Sequence, residues 1–528
     1  MTQKTRANLY GLLKRTAKLH PDREAVVCRD SRYSYQQLKN RVDRLAGVLN
    51  SLGLQKNDKI AIIHKNCHRY LEIYFAAAKL GAVCVPINYR LAEQDFIYIL
   101  TDARAKILMA QPELIRCLIQ RWNDIPQLER IFLTGPPGEE AWPNSMDYDS
   151  IFEETSQAET AVAPVIDSTT AQIYYTSGTT GRPKGVILTH HNNLTHAVWA
   201  IKELGLTKSD RWIHVSPMFH LADAWAVWAV TQVAGTHVMI PCFEPAAVLE
   251  IIARHKVTLS NFIPTMLNIL VNVKGIEDYD LSSLRLIMSG GAPIAKEVVR
   301  KVIDIFGCEY IQTYGLTETS PFLTMSILKE DMTRLPFEEK LKFMVTTGRP
   351  FGDVQLKVVR DDGQTVDSDD QEVGEIIAKG ETITPGYWNL PEETSKRIVD
   401  GWLHTRDLAV INPEGYVTIV DRKDDVILTG GENVYSIEVE DILYSHPAIL
   451  EAAVIGLPDP LWGEKVTAVV VPKEGKDIAE EDVIQFCKEK MAPFKAPKDV
   501  IFSQNLPKTG SAKIYKYKLR EKHRPMEK

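Results

Sequence analysis

Lys59-Ile60-Ala61-Ile62-Ile63, then Tyr70 to Leu80, then Ala82-Val83-Cys84-Val85-Pro86, alternate between two hydrophobic patterns. The first run is short and apolar, as a buried strand is. Tyr70 to Leu80 repeats apolar residues at helical spacing, and the third run is strand-like until Pro86 ends it. Strand, helix, strand in this order predicts a layered α/β sheet with parallel strands. Upstream, Tyr35 to Leu54 has helical spacing and stops near Gly53; downstream, the rhythm returns at Arg211 to Pro241 and at Leu284 to Tyr310.

From about Gly348 the strand-like runs crowd together, separated by turns at Asp361-Asp362-Gly363, Asn412-Pro413-Glu414-Gly415 and Gly430-Gly431. A new unit follows the polar run Asp421-Arg422-Lys423-Asp424-Asp425. Its pattern is helix (Ile437 to Tyr444), strand (Ala452 to Leu457), strand (Lys465 to Pro472), helix (Glu480 to Lys490) and a strand near Val500-Ile501-Phe502. The reading is an α/β protein. A large multi-layer N-terminal domain with parallel-rich sheets spans 1–420, a hinge 421–424, and a small α+β C-terminal domain 425–528.

A chain of 528 residues is too long for one ordinary core, which agrees with two domains. With 45% hydrophobic and 25% charged residues it has the composition of a globular protein. A net charge of −7 argues against a nucleic-acid partner, because phosphate binding needs a basic face. Cys28, Cys67, Cys84, Cys117, Cys242, Cys308 and Cys487 form no CxxC pair and are odd in number, so they are expected as reduced thiols, mostly in the core. The start, Met1 to Arg6, leads into no apolar run, so no signal peptide is expected. The most apolar stretch, Ala222 to Ile240, is broken by Asp223, Gln232 and His237, a poor transmembrane candidate. A cytoplasmic protein is expected, with peripheral membrane contact and a homodimer left open.

The most informative chemistry lies in Ile173-Tyr174-Tyr175-Thr176-Ser177-Gly178-Thr179-Thr180-Gly181-Arg182-Pro183-Lys184-Gly185-Val186. An apolar strand runs into glycines, hydroxyl residues and a lysine. Glycines let backbone N–H groups approach an anion, the hydroxyls add short donors, and Lys184 adds charge; together they suit a polyphosphate. It is not a Walker A loop, since the Gly-Lys-Ser/Thr position reads Pro183-Lys184-Gly185. A second constellation, Gln312-Thr313-Tyr314-Gly315-Leu316-Thr317-Glu318-Thr319, offers an aromatic ring for a purine, a hydroxyl for phosphate and a carboxylate for Mg²⁺.

The string from Tyr175 to Val186 resembles the signature loop of the acyl-adenylate-forming superfamily, which holds acyl- and aryl-CoA synthetases, peptide-synthetase adenylation domains and beetle luciferases. Further motifs in the family's order extend the resemblance over nearly the whole chain. It implies that Thr176 to Gly181 and Lys184 cradle ATP. It also implies that Gln312, Tyr314 and Gly315 lie at adenine, that Thr317 contacts the α-phosphate and that Glu318 ligates magnesium. Ser289-Gly290-Gly291-Ala292-Pro293, a glycine pair after the strand Leu286-Ile287-Met288, resembles the adenine-pocket wall that also borders the acyl pocket; alone it reads equally as a turn before a helix starting at Pro293.

Gly401-Trp402-Leu403-His404-Thr405-Arg406-Asp407 resembles the ribose motif, with Asp407 on the ribose hydroxyls. Arg406 stands where the family usually has glycine, and a positive φ there would cost on the order of 1 kcal/mol. The run from Asp421 resembles the interdomain hinge: Arg422 reaches ribose or phosphate, Asp424 is the pivot, and Gly430, Gly431 and Glu432 line the coenzyme A tunnel. Lys513, in Lys508-Thr509-Gly510-Ser511-Ala512-Lys513, matches the catalytic lysine that bridges the acid carboxylate and the α-phosphate; Ala512 replaces a usual glycine. His220 stands near the residue that gates the acyl pocket in relatives.

The implied reaction has two steps. A carboxylate attacks the α-phosphorus of Mg·ATP, giving acyl-AMP and pyrophosphate; the CoA thiol then attacks the acyl carbon and releases AMP. Lys184, Thr317, Glu318 and Lys513 position and stabilise, and no protein nucleophile is needed. An enzyme loading a carrier protein, a luciferase-like oxygenase and a nucleotide-binding regulatory module are the rival readings. The acyl pocket is expected around His220, Asp223, Ala224, Phe262, Ser289 and Gly290. Its alanines are expected to leave room, unless Trp225 and Trp228 are ordinary core, and Asp223 is its one acidic candidate unless it faces solvent. A medium- or long-chain aliphatic acid is the expected substrate, an aryl acid the alternative.

Overall fold

The computed structural model describes residues 8–135, 142–153, 164–176, 182–508 and 514–524. The chain divides into two compact units. One comprises Met1–Gln355 with Lys379–Gly401, the other Leu356–Ala378 with Trp402–Lys528.

In the first unit residues 59–86 fold as strand Lys59–Ile63, helix His68–Leu80 and strand Val83–Pro86. Lys59–Ile63 pairs in parallel with Val83–Pro86 on one side and Ala105–Ala110 on the other. Burial on both faces explains why these strands read as unbroken apolar runs. The helix is buried on nearly every side, and Glu72 is carried inside with it. Its carboxylate accepts from Arg41 Nε at 2.6 Å and Tyr148 Oη at 2.7 Å. Burial pushes the Glu72 carboxyl up, against the pull of Arg41. Gly81, at φ +69°, ends the helix where a Cβ would lie 2.9 Å from Val165. The helix Tyr35–Ser51 starts at a capping box, Ser34 with Gln37, a device typically contributing about 1 kcal/mol.

Among the described residues this strand trio belongs to a seven-stranded sheet. Its order is Ser145–Asp147, Arg130–Leu133, Ala105–Ala110, Lys59–Ile63, Val83–Pro86, Thr170–Thr176, Lys184–Thr189, and only the last pair is antiparallel. A nine-stranded sheet has at its centre the parallel run Glu309–Gly315, Leu286–Gly290, Leu259–Phe262, Arg211–His214, Thr236–Met239, Glu24–Cys28. The helix after Leu286–Gly290 begins at Lys296, not at Pro293: Gly291 takes φ +87° and Ala295 is still extended, so the turn runs on past the proline.

Among the described residues the second unit holds two sheets. In one, Trp402–Ile411 pairs antiparallel with Gly374–Lys379 and with Val417–Arg422. In the other, Ile449–Asp459 and Gly463–Pro472 form a long hairpin, joined by Ile427–Thr429, Glu432–Val434 and Asp499–Phe502. The helices Ser436–Tyr444 and Glu480–Lys490 pack on it through Val439, Leu443, Val483 and Cys487. All seven cysteines are free thiols, five of them buried. Among the described residues no helix is long and apolar enough to cross a membrane.

Candidate active site

The strands Thr170–Thr176 and Lys184–Thr189 are antiparallel, with Thr176 opposite Lys184. The chain between them, with Ser177, Gly178, Thr179, Thr180 and Gly181, lies outside the described residues. Lys184 Nζ reaches Glu393 Oε2 at 2.6 Å. A Cβ on Gly185 would stand 2.8 Å from Ile173 and 3.1 Å from the Tyr175 ring, so glycine is needed for its neighbours' sake.

The strand Glu309–Gly315 delivers the second constellation. Gln312 donates from Nε2 to Ala292 O at 3.0 Å, which ties this strand to the Gly291-Ala292-Pro293 turn. At Gly315 a Cβ would lie 1.8 Å from Pro321 O; the chain folds back too closely for any side chain. That fold places Thr317 and Glu318 in a short turn, Thr317–Thr319, where both are nearly buried, as is Tyr314. Glu318 is held twice. Its Oε1 accepts from Tyr387 Oη at 2.7 Å, and its carbonyl accepts from Thr384 N at 2.8 Å. Burial, then the Glu318 charge, pushes the Tyr387 phenol well above its ordinary range, so it stays a donor. Among the described residues no group of three or more His, Cys, Asp or Glu could hold a metal ion. Glu318 is a hard oxygen donor that fits Mg²⁺, which commonly takes one or two carboxylates and completes its shell with phosphate and water.

Gly290 is not an opening for a ligand. It sits inside its strand opposite Thr313, and a Cβ there would lie 2.3 Å from Thr313 Oγ1. Ser289 and Phe262 are also buried. His220 caps the short helix Leu221–Ala224, accepting at Nδ1 from Ala222 N. The room expected from the alanines is filled: Ala224, Ala226 and Ala229 are fully buried, Trp225 packs on Trp212, His196 and Phe322, and Trp228 on Tyr74 and Phe75. Asp223 neither faces solvent nor stands free. It accepts from Trp212 Nε1 at 3.1 Å and His214 Nδ1 at 2.5 Å. His214 Nε2 then meets His237 Nδ1 at 3.0 Å, and His237 Nε2 meets Thr231 Oγ1 at 3.0 Å. Burial, with His214 alongside, holds the His237 ring well below the ordinary histidine range.

In the second unit Asp407 is nearly buried, with Arg422 Nε 3.4 Å from its Oδ1. Arg406 has φ +63°, the left-handed backbone that the motif's usual glycine would take freely. Its guanidinium meets Asp424 on both oxygens, Nε to Oδ2 at 3.1 Å and Nη2 to Oδ1. Gly430 and Gly431, at φ +61° and +85°, turn the hairpin Ile427–Thr429/Glu432–Val434, with Trp462 against Gly430. Asp421 is buried and receives both the N–H and the hydroxyl of Ser436. Lys513 lies outside the described residues; the bridge between Lys508 and Ile514 brackets it.

Sequence reasoning missed the segment Thr384-Pro385-Gly386-Tyr387 and, beyond it, Glu393. It pairs with Lys184–Thr189 through Ile187 N to Gly386 O at 3.0 Å and Trp388 N to Gly185 O at 2.7 Å. A Pro-Gly-aromatic run followed by Pro391-Glu392-Glu393 was the available signal, but it names no chemistry by itself.

The chain resembles known proteins in both sequence and fold. A family model described as AMP-binding enzyme matches residues 13–388, and one described as AMP-binding enzyme C-terminal domain matches 438–513. The chain is 34% identical to a feruloyl-CoA synthase of Amycolatopsis sp over 96% of this chain and 97% of that one. It is 33% identical to a 2-succinylbenzoate–CoA ligase of Bacillus cereus (strain Q1), over 96% and 98%. Among solved structures, the anthranilate CoA ligase AuaEII in complex with anthranoyl-AMP superposes with a TM-score of 0.87, covering 98% of this chain and 97% of that one at 26% identity.

Proposed function

The chain belongs to the AMP-binding enzymes and is an AMP-forming acid–CoA ligase, and on that premise we propose that its acid is an aryl carboxylate, with the site residues acting as follows. Lys184 faces the β- and γ-phosphates of ATP, Tyr314 lies along the adenine, Thr317 donates to the α-phosphate, and Glu318 holds Mg²⁺. When bound, the ion neutralises phosphate charge and orients the pyrophosphate leaving group. Tyr387 and Thr384 fix Glu318, so the carboxylate is aimed before ligand arrives. Asp407 takes the ribose hydroxyls and Arg422 the ribose or phosphate. Lys513 stabilises charge as the carboxylate attacks phosphorus. Gly430, Gly431 and Glu432 admit the pantetheine arm, and Asp424 is the pivot between the two half-reactions.

The observation that carries the reading is the convergence on one segment: Tyr387 bonds Glu318, and Glu393 bonds Lys184. The phosphate-loop lysine and the magnesium carboxylate come from different sheets, and this segment ties both. The aryl acid is preferred over the aliphatic one because the alanines expected to make room are core, and because the three relatives named above carry aryl acids in their names. Acid-dependent ATP–pyrophosphate exchange, run over ferulate, 2-succinylbenzoate, anthranilate and a C6 to C16 fatty-acid series, tests it. The expected result is a kcat/KM for one aryl acid exceeding that of every fatty acid. A kcat/KM rising with fatty-acid chain length and topping the aryl acids would replace it with the aliphatic reading.

A further inference from the structure

Lys184 already has an anion. Glu393 Oε2 lies 2.6 Å from Nζ, and the two side chains are only 17% and 27% exposed. Lys396 approaches the other oxygen at 3.2 Å. Hydrogen bonds from Lys184 and then Lys396 hold the Glu393 carboxyl below the usual carboxylate range, so it is charged at neutral pH.

This pairing is built by the backbone. Glu393 sits at the end of a segment fixed to the strand Lys184–Thr189: Thr384 Oγ1 donates to Ile187 O at 2.6 Å, and Trp388 N to Gly185 O at 2.7 Å. Trp388 Nε1 anchors the far side by donating to Asp102 O at 3.0 Å. Tyr387 N accepts no freedom either, since it donates to Thr394 Oγ1 at 2.9 Å, one residue beyond Glu393. The carboxylate therefore stands at Lys184 because the chain puts it there.

An ammonium beside a fixed carboxylate cannot give its full charge to a polyphosphate, and the carboxylate repels the same phosphates. Resting on the reading of Lys184 as a phosphate contact, we propose that Glu393 is a positioning counter-ion that competes with ATP and pyrophosphate for Lys184. Between turnovers it holds the ammonium extended and in place. On pyrophosphate departure it takes the ammonium back, which lowers affinity for the product. If the pair were only a tether for the segment, removing it would loosen Lys184 and weaken nucleotide binding, so the two roles predict opposite signs.

The test measures KM for ATP and inhibition by pyrophosphate, at saturating acid and CoA, in wild type, Glu393→Gln, Lys184→Met and the double variant, with thermal midpoints to establish folding. Glu393→Gln is expected to lower both the ATP KM and the pyrophosphate inhibition constant by about three- to ten-fold. Lys184→Met is expected to raise both, and Glu393→Gln to have no effect in that background. An ATP KM unchanged or raised by Glu393→Gln, with Lys184→Met still raising it, overturns the counter-ion and leaves the phosphate contact standing. A Lys184→Met enzyme with the wild-type ATP KM overturns the phosphate contact itself. The same decrease for Glu393→Gln with and without Lys184 would show that it acts by general repulsion and not through the lysine.

Discussion

Replacing Asp223 by asparagine asks whether the buried line from Asp223 to Thr231 works as a string of hydrogen bonds or as an isolated charge. Asp223, Trp212, His214, His237 and Thr231 are all fully withdrawn from solvent. With the carboxylate accepting at His214 Nδ1, the neutral string runs one way: His237 Nδ1 donates to His214 Nε2, and Thr231 Oγ1 donates to His237 Nε2. In Asp223→Asn the amide oxygen still accepts from Trp212, while the amide nitrogen donates to His214 Nδ1. Every later link can then reverse by a change of tautomer, with His214 donating to His237 and His237 to Thr231. One amide hydrogen is left unpaired, at about 1–3 kcal/mol. Asp223→Ala has no such escape. It leaves two buried donors and a void, at about 3–5 kcal/mol. Urea unfolding followed by tryptophan fluorescence, with the m-value unchanged, is the assay. The expected order is wild type, then Asn, then Ala, with about 2 kcal/mol between the variants. An asparagine variant as unstable as the alanine one would refute the string and leave the charge as what matters.

The other expectations concern the half-reactions and pH. Lys513→Ala is expected to cut acyl-AMP formation by roughly a hundred-fold or more, the scale of one lost transition-state donor, and to spare thioester formation from pre-made acyl-AMP; equal loss in both steps would reject the assignment. Asp424→Pro fixes φ and removes the partner of Arg406; one half-reaction should survive and the other fail, and a variant unimpaired in both would end the hinge role. His196 is buried among Trp225, Phe322 and Phe351, and burial holds its pKa at about 3. Below the ordinary value of 6.5 the unfolded chain takes up a proton that the folded chain refuses. His196 therefore makes stability fall as pH drops through that window, by up to roughly 1.4 kcal/mol per pH unit. His196→Leu should flatten the slope between pH 6.5 and about 4 in urea titrations, and an unchanged slope would show that His196 is not its source.

The sheets were legible because their physics is local. Lys59–Ile63 and Val83–Pro86 are buried on both faces and so read as plain apolar runs, and the helix between them differed only at its start, where His68 and Arg69 carry no apolar signal. Asp407, Glu318 and Lys184 were legible as motif residues, but their partners were not. Tyr387 is 69 positions from Glu318, and Glu393 is 209 from Lys184; only the pairing of two distant segments brings them together. The alanines at 224, 226 and 229 misled because a small residue marks a space only when it borders one, and all three are fully buried. Arg406 went the other way: the positive φ inferred from a missing glycine is there, and its side chain reaches Asp424.

An enzyme that makes an acyl adenylate and then a CoA thioester is expected to yield the two products in sequence within a single turnover. Enzyme, Mg·ATP and an aryl acid without CoA should give one equivalent of acyl-AMP and pyrophosphate on the enzyme; adding CoA should convert it to acyl-CoA and free AMP. Appearance of ADP and orthophosphate, or an adenylate that persists in the presence of CoA, would contradict it.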